Sequence, residues 1–170
     1  MNEFQVKNEK AVGQAFIEWL NAEKGQNYIY KGRPDRAPDL IYASGNNELY
    51  IEVTSAFYDN DHAKFIWKSV RGEPDAPTSW GGINPNESLV NEIHNCVIKK
   101  AKKRYKNETL LLIEVPPGVT SDEELSNLLD LRQFPDDLPF MGIYVVGEFP
   151  IKNNSAGGLR VIPIYELQNG

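Results

Sequence analysis

The stretch that decides the fold is ELYIEVT, residues 48–54. Its β-branched and aromatic residues are typical of a strand. Successive side chains of a strand point to opposite faces of the sheet, so Leu49, Ile51 and Val53 share one face. Glu52 lies on the other face, in the most hydrophobic part of the strand. The first face predicts a buried core, whereas the carboxylate on the second face suggests a functional role.

The patterns on both sides of this stretch predict an α/β fold with a mixed sheet. Gly45-Asn46-Asn47 is a turn signal between two short strand patterns, so we expect an antiparallel meander there. Later in the chain, a helix pattern separates fully apolar strands, which predicts parallel pairing. The predicted helices cover residues 8–23, 87–105 and 121–131, and the predicted strands cover residues 28–31, 40–43, 49–54, 109–115, 140–146 and 159–164.

The length and composition predict a single domain over residues 1–170. The chain has 170 residues and 41% hydrophobic content, which suffices for one core. Residues 57–86 are rich in Gly, Pro and Asn and predict a loop-rich insertion. We expect residues 72–86 to form no long helix or strand and to open near the candidate site, where they would gate the substrate.

The charge and cysteine content exclude several classes of protein. A net charge of -6 argues against a protein that coats nucleic acid through bulk charge. The single cysteine, Cys96, excludes an internal disulfide framework and is expected to be an inert packing residue. The chain has neither an apolar signal core nor a run of about 18 apolar residues. We therefore expect a cytoplasmic protein with no membrane partner. The sequence does not determine the oligomeric state, and a homodimer is compatible with it.

Two carboxylates are predicted to converge at the ends of neighbouring strands. Pro38-Asp39 enters the strand before ELYIEVT, and the turn at Gly45 would fold Asp39 back towards Glu52. Clustered carboxylates are costly unless a positive charge neutralises them. A divalent cation with oxygen ligands is the usual solution, and Mg²⁺ fits a site of a few carboxylates and water.

The two motifs resemble those of the PD-(D/E)xK nuclease superfamily, in which a Pro-Asp begins one strand and an acidic-x-Lys triplet lies on the next. The matching elements are Pro38-Asp39 and Glu52-Val53-Thr54. The order of helix, strands, helix and strand also agrees with the family's core over residues 8–115. The resemblance implies a restriction-endonuclease-like three-layer fold, with a central mixed β-sheet flanked by helices.

The resemblance also implies the roles of the site residues. Asp39 and Glu52 would ligate a catalytic Mg²⁺ or Mn²⁺, and the main-chain carbonyl of Val53 would be a further ligand. Glu18 on the first helix matches the acidic residue that many members place beside the site. The family's lysine is missing, because Thr54 stands in its place and a hydroxyl cannot act as a cation that orients water.

A helix later in the chain offers a replacement for this lysine. With 100° per residue, Lys100 falls about 20° from Leu89, in the middle of the apolar stripe of that helix. A lysine on a buried stripe needs a partner, because burying an unpaired ammonium is expensive. Some members of the superfamily supply their lysine from such a helix, so we expect Lys100 to approach Glu52 or Asp39.

Each of these residues also has a structural explanation. Glu52 and Thr54 would suit a half-exposed strand with a solvated polar face, and Asp39 would suit a Pro-Asp turn. Glu18 would be a solvated glutamate beside an apolar helical face. Lys100 would bury its stem and extend its ammonium to water. These alternatives stay open at the level of sequence.

The function predicted from these features is a metal-dependent nuclease that hydrolyses phosphodiester bonds, with DNA as the expected partner. The run KKAKKRYK, residues 99–106, holds six basic residues in eight and would contact phosphates beside the acidic site. It would equally suit a solvated helix end. The alternative function is a catalytically inactive nuclease-fold module that binds nucleic acid or protein. A third class is a small-molecule binding protein without a metal.

Overall fold

The structure is a computed structural model that describes residues 2–56, 85–115, 121–151 and 154–167. The predictions of a loop over residues 57–84 and of its gating role lie outside these ranges. The helices are α1 (Glu3–Lys24), α2 (Pro85–Ala101) and α3 (Asp122–Leu131). The strands are β1 (Ile29–Gly32), β2 (Leu40–Ser44), β3 (Asn47–Ser55), β4 (Thr109–Val115), β5 (Phe140–Ile151) and β6 (Asn154–Tyr165).

The described strands form a single six-stranded mixed sheet in the order β1-β2-β3-β4-β5-β6. The first three strands pair antiparallel, β3, β4 and β5 run parallel, and β6 returns antiparallel to β5. The predicted meander and the predicted parallel pairing are both confirmed. The chain therefore has an α/β architecture with a mixed, open sheet.

Helices cover both faces of the sheet, which gives three layers. On one face, α1 packs against alternate residues of β2, β3 and β4, and this core includes Phe16, Leu20, Leu40, Ile51 and Leu112. On the other face, α2 and α3 pack against the intervening residues, and this core includes Leu89, Ile93, Leu111, Leu125 and Val145. β3 thus lies between α1 and α2, and both helices can reach its end.

The helix α1 approaches the sheet closely at Gly13. A Cβ at this position would lie 3.0 Å from the hydroxyl of Tyr42 on β2, so a larger residue would push the helix away. The helix also begins earlier than residue 8, because the side chain of Asn2 accepts a hydrogen bond from Gln5 N at 2.7 Å and caps it. The extra residues place Gln5 beside Glu9, and Gln5 Nε2 donates a hydrogen bond to Glu9 Oε1 at 3.0 Å.

The boundaries of α2 differ from those predicted. It begins at Pro85, inside the predicted insertion, because proline suits the first position of a helix. It ends at Ala101 instead of residue 105. Lys102 N and Lys103 N bond to the carbonyls three residues back, at 3.3 and 3.1 Å, and this tighter winding ends the α-helix. None of the helices in the described ranges is long and apolar enough to cross a membrane.

Candidate active site

A polar pocket of about 300 Å³ lies at the C-terminal end of β3, between the first turns of α1 and the last turn of α2. The carboxyl ends of parallel strands are a common place for binding sites in α/β proteins. The pocket is lined by Gln5, Asn8, Glu9, Asp39, Val53, Thr54, Ser55, Lys100 and Lys103. Asp39, Val53, Thr54 and Lys100 were predicted from the sequence. Glu52 is not among the lining residues and lies behind the pocket wall, in contact with Lys100 and Lys103.

Asp39 extends the pairing of β2 with β3 by one residue. Its main-chain N–H donates to Ile51 O at 3.0 Å, and its Oδ2 accepts from Val53 N at 2.8 Å. In an extended strand the N–H and C=O of one residue point to the same edge. The carbonyl of Val53 therefore points to the edge of β3 on which Asp39 lies, beyond the end of β2.

Burial dominates the electrostatics of Asp39. It raises the pKa of this carboxyl to about 6, and the negative charges of Glu52 and Glu9 add to the rise. The hydrogen bond from Val53 N and the ammonium of Lys100 lower the pKa but do not cancel the effect of burial. A carboxylate that ionises reluctantly is one that a cation would stabilise.

Glu52 is the most deeply buried acid of the site, with 1% of its surface exposed. Its Oε1 accepts hydrogen bonds from Lys100 Nζ at 2.8 Å and from Lys103 Nζ at 3.0 Å. Its Oε2 has no hydrogen-bond partner among the described residues. A buried carboxylate oxygen without a partner carries a desolvation cost, which a bound cation would offset.

The end of α2 delivers both lysines to Glu52. The hydroxyl of Tyr105 donates to the carbonyl oxygen of Lys100 at 3.1 Å and fixes the last turn. Burial and the charges of Glu52 and Asp39 raise the pKa of the Tyr105 hydroxyl, so it stays a donor. Thr54, which stands at the lysine position of the motif that the sequence resembles, is half-buried and lines the pocket without supplying a positive charge.

An ion-pair group that the sequence did not predict adjoins Asp39. Arg33 Nη2 lies 2.6 Å from Glu9 Oε2 and 3.5 Å from Asp39 Oδ1. Glu9 is 6% exposed, so it is the acid of the first helix that faces the pocket. Glu18 is exposed, and its Oε1 accepts from Gln14 Nε2 at 3.4 Å. The prediction that Glu18 lies beside the site is therefore wrong in position, because residue 18 is on the solvent side of α1.

Glu114, at the end of β4, is a second acid near the pocket that the sequence patterns did not predict. Glu114 Oε2 accepts hydrogen bonds from Asn8 Nδ2 at 2.6 Å and from Ser55 Oγ at 2.9 Å. These bonds tie α1 to the ends of β3 and β4. Because Asn8 precedes Glu9, the contact also fixes the turn of α1 that carries Glu9. We assign Glu114 a positioning role.

The donor set of the pocket fits a divalent cation held by two carboxylates and a carbonyl. The oxygens are Glu52 Oε2, the Asp39 carboxylate and the carbonyl of Val53, and such hard ligands suit Mg²⁺ or Mn²⁺. No group of three or more His, Cys, Asp or Glu side chains in the described ranges is arranged to hold a metal. Any cation here would therefore keep water in part of its coordination sphere.

Two other features of the described residues, a buried thiol and a second cavity, are less suited to catalysis. Cys96 lies on the buried side of α2, where its thiol donates to Ser55 O at 3.6 Å and burial raises its pKa. A thiol in this state is a packing group. Another cavity, of about 220 Å³, lies far along the sheet and is lined mainly by apolar side chains such as Phe134, Leu138 and Ile164.

Replacement of Asp39 by Asn should stabilise the metal-free protein by about 1–3 kcal/mol near neutral pH. The folded-state pKa of about 6 lies above the reference value of 3.8, so ionisation of Asp39 weakens the folded state as pH rises through this window. The amide carries no charge, so most of the gain should be lost at about pH 4, close to the unfolded-state pKa. Urea unfolding in EDTA at both pH values measures it, with Asp35→Asn as an exposed control. Equal stability of parent and variant near neutral pH would contradict the raised pKa.

The chain matches no protein-family model, no curated protein sequence and no solved structure. The function of the pocket is accordingly inferred from its geometry and from the resemblance of its two motifs.

Proposed function

We propose that the chain is a metal-dependent nuclease of the PD-(D/E)xK type, with a restriction-endonuclease-like fold, which hydrolyses phosphodiester bonds in DNA. The observation that carries the proposal is the arrangement at Glu52. One oxygen of this buried carboxylate pairs with Lys100, and the other has no partner among the described residues. Asp39 lies immediately before the adjacent strand β2 and lines the pocket together with Lys100.

The two carboxylates supply the metal ligands in this proposal. Asp39, Glu52 and the carbonyl of Val53 would hold Mg²⁺ or Mn²⁺. The cation, when bound, would polarise the phosphate and stabilise the negative charge that develops during hydrolysis. Glu9 and Arg33 act behind Asp39, because their ion pair fixes the side of the carboxylate that faces away from Val53.

Lys100 takes the role of the family's lysine. It reaches Glu52 from α2 instead of from β3, and it orients the attacking water and assists its deprotonation. The oxygen of that water forms a new bond to phosphorus while its proton passes to solvent, and the bond from phosphorus to the leaving deoxyribose oxygen breaks as that oxygen takes a proton from solvent. Thr54 lines the same wall of the pocket and would contact the substrate through its hydroxyl.

The basic segment next to the pocket supports a nucleic-acid substrate. Within residues 99–106, Lys99, Lys102, Lys103 and Arg104 are exposed, and they follow Lys100 at the pocket wall. Local positive charge beside an acidic metal site would attract the phosphate backbone despite the net charge of -6. The segment is therefore suited to contact the DNA strand that must enter the pocket.

Cleavage should depend strictly on a divalent cation. The purified chain should nick or degrade DNA in the presence of Mg²⁺ or Mn²⁺, and excess EDTA should remove the activity, because the carboxylates alone cannot stabilise the developing charge. Gel analysis of linear, circular and single-stranded DNA, with RNA beside them, measures the activity and the substrate class.

Two results of this experiment would count against the proposal. Cleavage that persists in EDTA would exclude the metal mechanism. Metal binding by calorimetry without cleavage of any of these nucleic acids would identify a non-catalytic module that retains the metal site.

A further inference from the structure

Two ammonium groups share one oxygen of Glu52. Lys100 Nζ lies 2.8 Å and Lys103 Nζ lies 3.0 Å from Oε1. One lysine is enough to neutralise one carboxylate, and two cations on the same oxygen repel each other. The side chain of Lys100 is 16% exposed, whereas that of Lys103 is 49% exposed. Lys103 is therefore the more easily displaced of the two.

The charges of the ion-pair groups around the pocket balance without a metal. Within the described ranges, Glu9 and Asp39 share Arg33, and Glu52 holds the two lysines. Three carboxylates thus face three cations. A divalent cation adds two positive charges, so a cationic side chain must move away from Glu52 or find a new anion. The phosphate of a substrate strand is such an anion.

We propose that Lys103 is an exchangeable counterion of the site. It pairs with Glu52 in the metal-free protein and moves to a substrate phosphate when Asp39 and Glu52 bind the divalent cation. The inference rests on the proposed function, because it requires the two carboxylates as ligands and a phosphodiester as substrate. Lys100, which is more buried, stays on Glu52. The exchange makes metal binding and nucleic-acid binding strengthen each other.

The first test is the metal affinity without nucleic acid. Lys103→Gln should tighten Mn²⁺ binding by about threefold to tenfold, because Glu52 loses a competing cation. Calorimetric titration of the whole chain measures the dissociation constant. Lys102→Gln removes the same charge from an exposed neighbouring position and serves as the matched control. Lys103→Arg keeps the charge and should restore the affinity of the parent.

The second test is the affinity for DNA. In a Lys100→Met background, in which cleavage is slow compared with binding, Lys103→Gln should weaken binding of a short duplex in Mg²⁺ by about tenfold. The slope of log affinity against log salt should fall by about one, because a phosphate contact is lost. Fluorescence anisotropy over a range of salt concentrations gives both values, with Lys24→Gln, which removes an exposed charge at the far end of α1, as the control.

The signature of exchange is a tighter metal site together with a weaker DNA site. If Lys103→Gln behaves as Lys102→Gln in the metal titration, or if DNA affinity and its salt slope are unchanged, the exchange is overturned. The proposed function survives that outcome as long as the parent cleaves DNA with Mg²⁺. A parent chain that binds no divalent cation overturns both.

Discussion

Lys100→Met should slow the cleavage of nucleic acid by about 10²–10⁴-fold and leave divalent-metal binding intact. The ammonium of Lys100 lies 2.8 Å from Glu52 Oε1, and the side chain is only 16% exposed, so this cation is held at the pocket wall. Methionine keeps the apolar stem of the side chain and removes the charge. Single-turnover cleavage in Mg²⁺ and a calorimetric metal titration provide the two measurements.

The controls for this variant lie on the same helix. Lys99→Met removes an equal charge from an exposed position of the basic segment, so it should weaken DNA binding but keep the single-turnover rate at saturating enzyme within about threefold of the parent. Lys103 bonds to Glu52 in the metal-free protein and would contact the substrate phosphate in the metal-bound one, so the variant that lacks both lysines should cleave DNA more slowly than Lys100→Met. A Lys100→Met protein as active as the parent would remove Lys100 from the mechanism.

Helical periodicity predicted the place of Lys100 and would have found Glu9 as well. Lys100 falls within the apolar stripe of α2, and in the structure its ammonium reaches Glu52. On α1, Glu9 precedes Val12 by three residues and Phe16 by seven, which is the spacing of a buried face. Glu18 lies about 200° around the helix from Phe16, on the opposite side. The family pattern selected Glu18, whereas the wheel would have selected Glu9.

The contacts of Arg33 and Lys103 could not be predicted from sequence patterns. Arg33 lies between β1 and β2, where the chain has no periodicity, and its pairing depends on how that segment folds against α1. Lys103 is beyond the end of α2, so a helical wheel does not give the direction of its side chain. The tighter winding after Lys99 changes the direction of its side chain.

The bounds of the helices and strands were predicted well where the local sequence patterns agreed with one another. β4 matches its predicted bounds because a fully apolar strand pairs on both sides and has no edge to fray. The predicted third helix needed one correction, since Ser121 is its N-cap and accepts a hydrogen bond from Glu124 N at 3.2 Å. The strands β5 and β6 extend beyond their predicted ends because they pair with each other over most of their length.

Glu52→Gln should weaken the binding of Mg²⁺ or Mn²⁺ by more than about 100-fold. Loss of a residue that only supports a metal ligand costs about 10–100-fold in affinity, and loss of the charge on the ligand itself should cost more. The amide is isosteric with the carboxylate and still accepts a hydrogen bond from Lys100, so the fold should persist. Its free energy of unfolding should fall by about 1–3 kcal/mol, because two ammonium groups lose their buried counterion. Calorimetry measures the affinity, and urea unfolding measures the stability.

The matched control for this last change is Glu48→Gln, on the same strand. Glu48 pairs with Lys31 and Tyr50 at the exposed end of β3, away from the pocket, so its neutralisation should leave metal affinity unchanged. Metal binding stabilises the folded state by mass action, so saturating Mn²⁺ should raise the melting temperature of the parent and of Glu48→Gln. It should leave the melting temperature of Glu52→Gln where it is. If Mn²⁺ stabilises the Glu52→Gln protein as strongly as the parent, the metal binds elsewhere and Glu52 is not its ligand.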